Sequence, residues 1–427
     1  MIDSKLLLDD FEATAARLAT KGVDRETLEE ARGAVERHRA MLREAEELRA
    51  QSNKIAALVS SSVQEGGERP AALLEESRSL RNRSAAIEAE VREADRRARD
   101  LLLRLPNLPS PEAPIGAGEH DNVVLEVFDY DAERYEKGDF RPHWEIGEEF
   151  GIYDARRAAN ISGSMFALLR NNGARLLRAL VDFGLDLNRG TYEEIAPPHM
   201  VRTETFTTTG HLPKFESDAY RLRDDDLWMI PTGEVPLMSL HRGETLQEAE
   251  LPKRYMAYTV CFRREAGAAG KDTRGLQRLH EFHKVELVKF CTPDQAQTEF
   301  ESLLEDARRA MVLLELPHRF VDLCTADLTF SSARIIDIEI WAPGTRRWLE
   351  ASSVGYFTDF QTRRANIRYR PADGGRARLA HALNGSGLAT PRVWAAIVEH
   401  GLQPDGETIR LPEALAPYFG ADSFRRK

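Results

Sequence analysis

Residues 26–105 limit the possible folds of this chain more than any other stretch, because they contain no aromatic residue. The stretch is rich in Glu, Arg, Ala and Leu. Within 71–105, apolar residues recur every seven positions, at Leu73, Leu80, Ile87, Ala94 and Leu101. A seven-residue apolar repeat on an otherwise charged helix is typical of a helix that packs along a partner helix. A looser apolar stripe through 26–60 supplies that partner.

The two helical segments are separated by residues 60–70, which read SSSVQEGGERP and include Gly66, Gly67 and Pro70. Such residues do not continue a helix. Two heptad-like helices with a short break between them predict an antiparallel coiled-coil hairpin, with arms over about 26–60 and 71–105. At 1.5 Å per residue each arm would reach about 50 Å. The alternative is an ordinary surface helix pair packed on a globular body, and the absence of aromatic residues disfavours it.

Residues 106–111, PNLPSP, end the helix and predict a semi-rigid linker. The heptad pattern is absent after this segment. Short apolar or alternating runs at 123–128, 319–324 and 335–343 are interleaved with helical stretches such as 173–188 and 294–315. Strands without regular βαβ alternation predict an α+β domain on an antiparallel sheet. We therefore expect an N-terminal domain over 1–110 and a second domain over 111–427.

Composition excludes several classes of protein. The 427 residues include 59 Lys and Arg against 70 Asp and Glu, a net charge of −11, which argues against a general nucleic-acid coat or a binder of anionic membranes. Three separated cysteines without a CxxC pair make a disulfide framework or a zinc site unexpected. There is no secretory signal and no apolar stretch of about 18 residues, so we expect a soluble cytoplasmic protein without a membrane span.

Residues 261–290 predict two antiparallel strands joined by a long loop, with bends at Gly267, Gly270 and Gly275. The segment holds seven Lys and Arg against four Asp and Glu, so it is locally cationic within an acidic chain.

Alternation along these strands predicts which side chains share a face. Arg263 and Glu265 are two positions apart, as are Phe282, Lys284 and Glu286 on the return strand. A guanidinium, carboxylates and an aromatic ring on one face suit an adenine nucleotide, with stacking on the ring and an ion pair to a phosphate. The alternative is a salt-bridged hairpin that faces solvent.

A second candidate site lies at 381–400, HALNGSGLATPRVWAAIVEH. Gly385 and Gly387 flank Ser386 in a predicted strand, and Pro391 then begins a helix. Arg392 falls in the first helical turn, where a cation is unfavourable unless an anion binds there.

These segments resemble the class II aminoacyl-tRNA synthetases in their seryl form. FRREAG…GKDTRGLQRLHEFHKVE (within 261–290) resembles motif 2, LNGSGLATPR (within 383–400) resembles motif 3, and TYEEIAPPHMV (191–201) resembles motif 1. The segments at 142–176, 207–222 and 230–244 and the N-terminal hairpin are also similar to the seryl-tRNA synthetase pattern, so the resemblance spans essentially the whole chain.

The resemblance implies a homodimer that uses ATP and Mg²⁺ to attach L-serine to tRNA(Ser) and tRNA(Sec) through seryl-adenylate. The N-terminal hairpin would bind the tRNA. The resemblance implies serine-binding roles for Thr232, Gly233, Glu234, Arg263, Glu286 and Ser386. It implies ATP-binding roles for Arg263, Arg264, Glu265, Leu279, Phe282, Glu350, Ala351, Ser352, Ser353 and Arg392. Arg263, Arg392 and Glu350 would be the catalytic residues, with Mg²⁺ held by Glu350 through ATP.

Two segments depart from the family pattern. TADLTFSSARIIDIEIW differs from the usual GDMGFSAAKTYDLEVW at Ala326, Thr329, Arg334, Ile335 and Ile336, and SSVGY (352–356) replaces SSCSN. Neutral drift explains such changes. The alternatives are a paralog with altered amino-acid choice or inhibitor response, a non-catalytic RNA-binding paralog, or a ligase for another amino acid or a carrier protein.

Two weaker signals stay open. Residues 361–378 carry six arginines and one acid, which fits either an exposed strand or a contact to the tRNA or ATP backbone. His211, His280 and His283 match no standard metal-ligand spacing.

Overall fold

The computed structural model describes residues 1–64, 71–266 and 273–426, and the chain divides into two compact units, Met1–Pro106 and Asn107–Lys427. The helices are α1 (Ser4–Asp9), α2 (Phe11–Ala19), α3 (Arg25–Gln64), α4 (Ala71–Leu103), α5 (Ala132–Lys137), α6 (His143–Glu149), α7 (Ala155–Ser162), α8 (Asn172–Asn188), α9 (Thr203–Thr208), α10 (Glu234–Leu237), α11 (Ala296–Leu313), α12 (Phe360–Ala365), α13 (Thr390–Gly401) and α14 (Ala416–Phe419). The strands are β1 (Val123–Phe128), β2 (Glu193–Glu194), β3 (Met200–Val201), β4 (Trp228–Met229), β5 (Thr245–Gln247), β6 (Lys253–Phe262), β7 (Glu281–Cys291), β8 (His318–Asp322), β9 (Arg334–Ala342), β10 (Arg347–Tyr356), β11 (Arg368–Arg370), β12 (Arg378–Leu379), β13 (His381–Ala389), β14 (Thr408–Arg410) and β15 (Ser423–Arg425).

The first unit is dominated by the long helices α3 and α4. The heptad positions from the second repeat onward are buried, at Leu80, Ile87, Ala94 and Leu101. Ion pairs join Arg97 to Glu30 and Arg49 to Glu88, so residue numbers fall along one helix as they rise along the other. The predicted antiparallel helical hairpin is confirmed. Gly66, Gly67 and Pro70, the predicted break, lie outside the described residues.

The second unit is built on a large sheet. In the described part of the chain its eight strands lie in the order β1-β8-β9-β10-β13-β7-β6-β2. Neighbouring strands are antiparallel throughout, except that the short β2 runs parallel to β6. The prediction of an α+β domain on an antiparallel sheet is confirmed.

Helices α8, α11 and α13 share one hydrophobic core with the sheet. Trp394 of α13 is fully buried in this core, and its indole N–H donates to the Gly173 carbonyl of α8 at 3.0 Å. This packing fixes the start of α13 against the central strands, where the functional residues lie.

The structure contradicts the predicted linker and one of the two alternatives for 361–378. Part of the 106–111 linker is packed, because the buried Asn107 amide donates to the Ser331 and Phe357 carbonyls at 3.0 and 2.8 Å. The segment 361–378 is not one exposed strand, since it begins with helix α12, in which Arg364 is buried and donates to the Thr207 and Leu212 carbonyls. Both hydrogen bonds are donated by Nη1 to protein carbonyls, so this arginine is held inside the fold.

No helix in the described ranges offers an 18-residue stretch apolar enough to span a bilayer.

Candidate functional site

A cleft of about 580 Å³ opens beside β7, β10 and β13 in the second unit. Most of the predicted site residues border it: Thr232, Glu234, Arg263, Glu265, Leu279, Phe282, Glu286, Glu350, Ser353, Ser386 and Arg392. Residues from four separate sequence segments are thus brought together by strand pairing and by the start of α13.

Gly233, Arg264, Ala351 and Ser352 are not among the residues that line the cleft. A Cβ at Gly233 would lie 3.0 Å from the Glu286 Cβ, so glycine lets the chain approach β7 closely. Ser352 is buried, and its hydroxyl donates to the Ser386 carbonyl at 2.7 Å. These two residues support the cleft wall without bordering the cavity.

The pairing of β9 with β10 explains how Glu350 and Ser353 both reach the cleft. Strict alternation would place residues three apart on opposite faces of a strand. The register shifts between Glu350 and Ser352, which is the signature of a β-bulge. Both oxygen-bearing side chains therefore border the same cavity.

A buried polar group lies at the inner end of the cleft. The Thr232 hydroxyl donates to Glu286 Oε2 at 2.6 Å and accepts a hydrogen bond from Lys284 Nζ at 2.9 Å. Lys284 also forms an ion pair with Glu286. Alternation on β7 predicts Lys284 on this face, although Lys284 was not among the predicted site residues.

Glu234 lies beside this group and is also buried. Its carboxylate accepts a hydrogen bond from the Gln361 amide. Burial, together with the negative charge of Glu286, raises the pKa of the Glu234 carboxyl to about 7. A ligand cation placed here would favour the ionised carboxylate.

Arg263 and Glu265 both border the cleft, but they do not share a strand face as alternation predicted. Strand β6 ends at Phe262, and Glu265 has a φ of +52°, so the two residues do not share a strand face. Arg263 Nε donates to the Pro231 carbonyl at 3.3 Å, and its guanidinium lies 5.0 Å from the centre of the Phe282 ring. Arg278, which was not among the predicted site residues, forms an ion pair with Glu265.

Arg392 lies in the first turn of α13, as predicted. It donates to the Gln277 carbonyl at 3.3 Å and to the Glu350 carbonyl at 2.6 Å, and it lies 3.5 Å from Glu350 Oε2. Arg392, at the start of α13, thus contacts both the motif 2 segment and β10.

A second contact between α13 and motif 2 was not predicted. His143 Nδ1 lies 2.8 Å from Glu399 Oε1, and His143 Nε2 accepts a hydrogen bond from the Leu276 N–H at 2.9 Å. Both side chains are buried, and the Gly344 N–H donates to the second Glu399 oxygen. A Cβ at Gly275, where φ is +64°, would lie 2.1 Å from His143 Nε2, so only glycine allows this approach.

Asp337 lines the cleft as well, although no motif indicated it. It is opposite Ser353 in the β9–β10 register. Burial and the Glu350 carboxylate raise the pKa of Asp337 well above its usual value.

The departures from the family pattern lie in different environments. Thr329, Ile335 and Gly355 border the cleft. Ile336 and Val354 are buried in the core. Within the described residues, no group of three or more His, Cys, Asp or Glu side chains is arranged to hold a metal.

Comparisons with known proteins agree along the whole chain. Residues 1–109 match the family model of the seryl-tRNA synthetase N-terminal domain, and residues 214–401 match that of the class II tRNA synthetase core domain (G, H, P, S and T). The serine–tRNA ligases of Pelobacter propionicus and Gemmatimonas aurantiaca are 43% and 44% identical, each over 98% of this chain and 99% of the relative. Seryl-tRNA synthetase from Pyrococcus horikoshii, solved in complex with ATP, aligns over the whole of both chains with a TM-score of 0.91 and 34% identity. This chain therefore belongs to the seryl-tRNA synthetase family.

Proposed function

We propose that this chain attaches L-serine to tRNA(Ser), and to tRNA(Sec), using ATP and passing through seryl-adenylate. The observation that carries the proposal is the buried Thr232, Lys284 and Glu286 group in the same cleft as Arg263. The group offers charged and hydrogen-bonding partners of the size and polarity that a serine zwitterion requires.

In the first step, a carboxylate oxygen of serine attacks the α-phosphorus of ATP. The bond from that phosphorus to the bridging oxygen breaks, and pyrophosphate leaves with the bonding electrons. Because the serine carboxylate is already an anion, the step needs positioning and charge stabilisation rather than a general base. Arg263 supplies positive charge at the carboxylate and α-phosphate, Phe282 packs on the adenine, and Arg392 faces the terminal phosphate.

Glu234 and Glu286 bind the ammonium and hydroxyl groups of serine, with Thr232 and Ser386 completing the pocket. Hydrogen-bonding the hydroxyl also rejects alanine, because alanine would leave buried polar groups without partners.

In the second step, a hydroxyl oxygen of the terminal tRNA ribose bonds to the seryl carbonyl carbon. The bond from that carbon to the phosphate oxygen breaks, AMP leaves, and its phosphate takes the hydroxyl proton. The products are seryl-tRNA and AMP.

Mg²⁺ fits the oxygen donors at one wall of the cleft. The Glu350 carboxylate and the Ser353 hydroxyl both border the cavity, and Mg²⁺ in nucleotide sites is commonly held by one or two protein oxygens plus phosphates. When bound, the ion neutralises phosphate charge.

The N-terminal domain, 1–110, binds tRNA, and the domain 111–427 is catalytic. A helical hairpin has no pocket for splayed bases, so it reads the shape and backbone of the RNA. The proposal includes a homodimer that acts in the cytoplasm.

The experiment is amino-acid-dependent ATP–pyrophosphate exchange with the purified full chain across all amino acids, followed by charging of tRNA(Ser). We expect exchange with serine alone. Glu286→Gln should lower kcat/KM for serine about 100-fold, the loss expected for a buried hydrogen bond to a charged group. Glu281→Gln, which removes an exposed carboxylate from the same strand, is the matched control. A flat response to millimolar serine, or stronger exchange with another amino acid, would refute the proposal.

A further inference from the structure

One buried side chain contacts the serine pocket from behind the cleft wall. Gln361, in helix α12, is fully buried and is not among the residues that line the cleft. Its amide nitrogen donates to Glu234 Oε1 and also to the Thr209 carbonyl, the latter at 3.3 Å. A residue that does not border the cavity therefore hydrogen-bonds a carboxylate that does.

These two hydrogen bonds fix the orientation of the Gln361 amide. The Thr209 carbonyl can only accept a hydrogen bond, so the reversed amide, with Oε1 in place of the nitrogen, would lose that contact. Gln361 Oε1 itself has no hydrogen-bond partner among the described residues. Towards Glu234, the amide can therefore act only as a donor.

Helix α12 gives this amide a rigid base. Arg364, on the same helix, donates to the Thr207 and Leu212 carbonyls at 3.1 and 3.2 Å. Its guanidinium also lies 4.7 Å from the centre of the Phe360 ring, and both side chains are buried. Because Gln361 lies between these two residues in the chain, its amide is held in place by contacts on either side.

The two carboxylates of the serine pocket have different partners. Glu286 forms an ion pair with Lys284, whereas Glu234 accepts from a neutral amide. The groups that act on the charge of Glu234 are Glu286 and Lys284 of β7 and the amides of Gln361 on α12 and Asn384 on β13. A neutral donor favours the ionised carboxylate without cancelling its negative charge. Such a donor suits a carboxylate that has to bind an ammonium group.

The serine ammonium group requires the charge on Glu234. Burial, together with the Glu286 carboxylate, raises the pKa of the Glu234 carboxyl to about 7, so about half of the molecules lack this charge at neutral pH. Each donor to the carboxylate increases the ionised fraction. Resting on the proposed function, we propose that Gln361 is a positioning residue for serine binding, whose amide holds the Glu234 carboxylate in place and keeps it charged for the ammonium group.

The test is the pH dependence of kcat/KM for serine in ATP–pyrophosphate exchange, which reports ionisations of the free enzyme and is measured with the full chain from about pH 6 to about pH 8.5. Gln361→Met removes the donor and keeps much of the side-chain volume. Loss of a hydrogen bond to a charged group should raise the midpoint of the profile by about 1–2 in pH.

The ratio of wild type to Gln361→Met cancels the ionisation of serine itself. We expect this ratio to fall from roughly 10- to 90-fold at about pH 6 to about 1- to 4-fold at about pH 8.5, as Glu234 becomes ionised in both proteins. KM for ATP should stay unchanged. Gln361→Leu, which lacks the donor in a differently shaped side chain, should show the same pH pattern.

Gln297→Met is the matched control. Gln297 is exposed on α11 and outside the cleft lining, and its amide donates to Glu301 Oε1 at 2.6 Å. The substitution therefore removes the same kind of hydrogen bond away from the pocket. We expect the ratio of wild type to Gln297→Met to stay near one across the whole pH range.

A second arm tests whether Gln361 acts through Glu234. In Glu234→Gln, which has no charge at this position, adding Gln361→Met should change kcat/KM for serine by less than about twofold, because both substitutions act on one contact. A loss that is equal at every pH, an unchanged profile, or additive losses in the double variant would each overturn the inference. Failure of wild type to exchange with serine would refute the proposed function itself.

Discussion

Replacing Lys284 by methionine tests whether the buried ion pair organises the serine pocket. The Lys284 and Glu286 side chains are 9% and 3% exposed, so the pair is almost fully removed from water. Methionine keeps much of the volume but leaves Glu286 with no cation and removes the donor to the Thr232 hydroxyl. Removing one partner of a buried pair costs about 3–5 kcal/mol, because the remaining charge stays buried.

The matched control is Lys137→Met. Lys137 pairs with Glu133 at 2.7 Å, but the two side chains are 75% and 78% exposed. An exposed pair four residues apart on a helix contributes about 0.3–0.5 kcal/mol. The same substitution should therefore have effects about tenfold apart in free energy at the two sites.

Tryptophan fluorescence during urea unfolding measures the free energy of unfolding of the second unit, which contains both lysines. All five tryptophans, Trp144, Trp228, Trp341, Trp348 and Trp394, lie in the second unit, so the signal does not report the helical hairpin. In parallel, we expect KM for serine to rise by more than tenfold in Lys284→Met and to stay unchanged in the control. A loss of stability within about 0.5 kcal/mol of the control, with unchanged KM for serine, would refute this reasoning.

Three further predictions follow from the same contacts. The pKa of Glu234 is about 7 in the folded chain against 4.5 ordinarily, so ionisation of this carboxyl opposes folding. The free energy of unfolding should therefore fall as pH rises from about 4.5 to 7. Over the same range KM for serine should fall, since the ammonium prefers the ionised carboxylate, and Glu234→Gln should abolish both dependences. His143→Ala should raise KM for ATP about tenfold and KM for serine much less, because it releases the Leu276 N–H of motif 2; equal changes in both constants would contradict this role. In the hairpin, Ile87→Ala should lower the thermal stability measured by circular dichroism by about 2–4 kcal/mol, whereas the exposed Leu74→Ala should cost less than 1 kcal/mol.

The sequence predicted the hairpin because its signal is local and repeated. A heptad seam needs only the spacing of residues such as Leu80 and Ile87, and the same spacing decides which side is buried. The paired strands around motif 2 were predictable for a similar reason, since alternation decides which side chains of β7 share a face.

The contacts that the sequence did not indicate join distant segments. His143 and Glu399 are 256 positions apart, and neither carries a pattern that pairs it with the other. The face shared by Arg263 and Glu265 was predicted from strand alternation, which stops at Phe262 and gives way to a left-handed residue. Backbone irregularities of this kind depend on tertiary hydrogen bonds, such as those that Asp218 provides, and not on local propensity.

The cations of the cleft are held by protein acceptors. Arg263 donates to the Pro231 carbonyl, and Arg392 donates to the Gln277 and Glu350 carbonyls. Lys284 is paired with Glu286. Side chains fixed in this way need little reorganisation when negative charge develops on a phosphate, which is the condition under which electrostatic stabilisation is most effective. The same arrangement explains how a chain with a net charge of −11 serves anionic substrates, because the cations that matter are few, oriented and close to the reacting atoms.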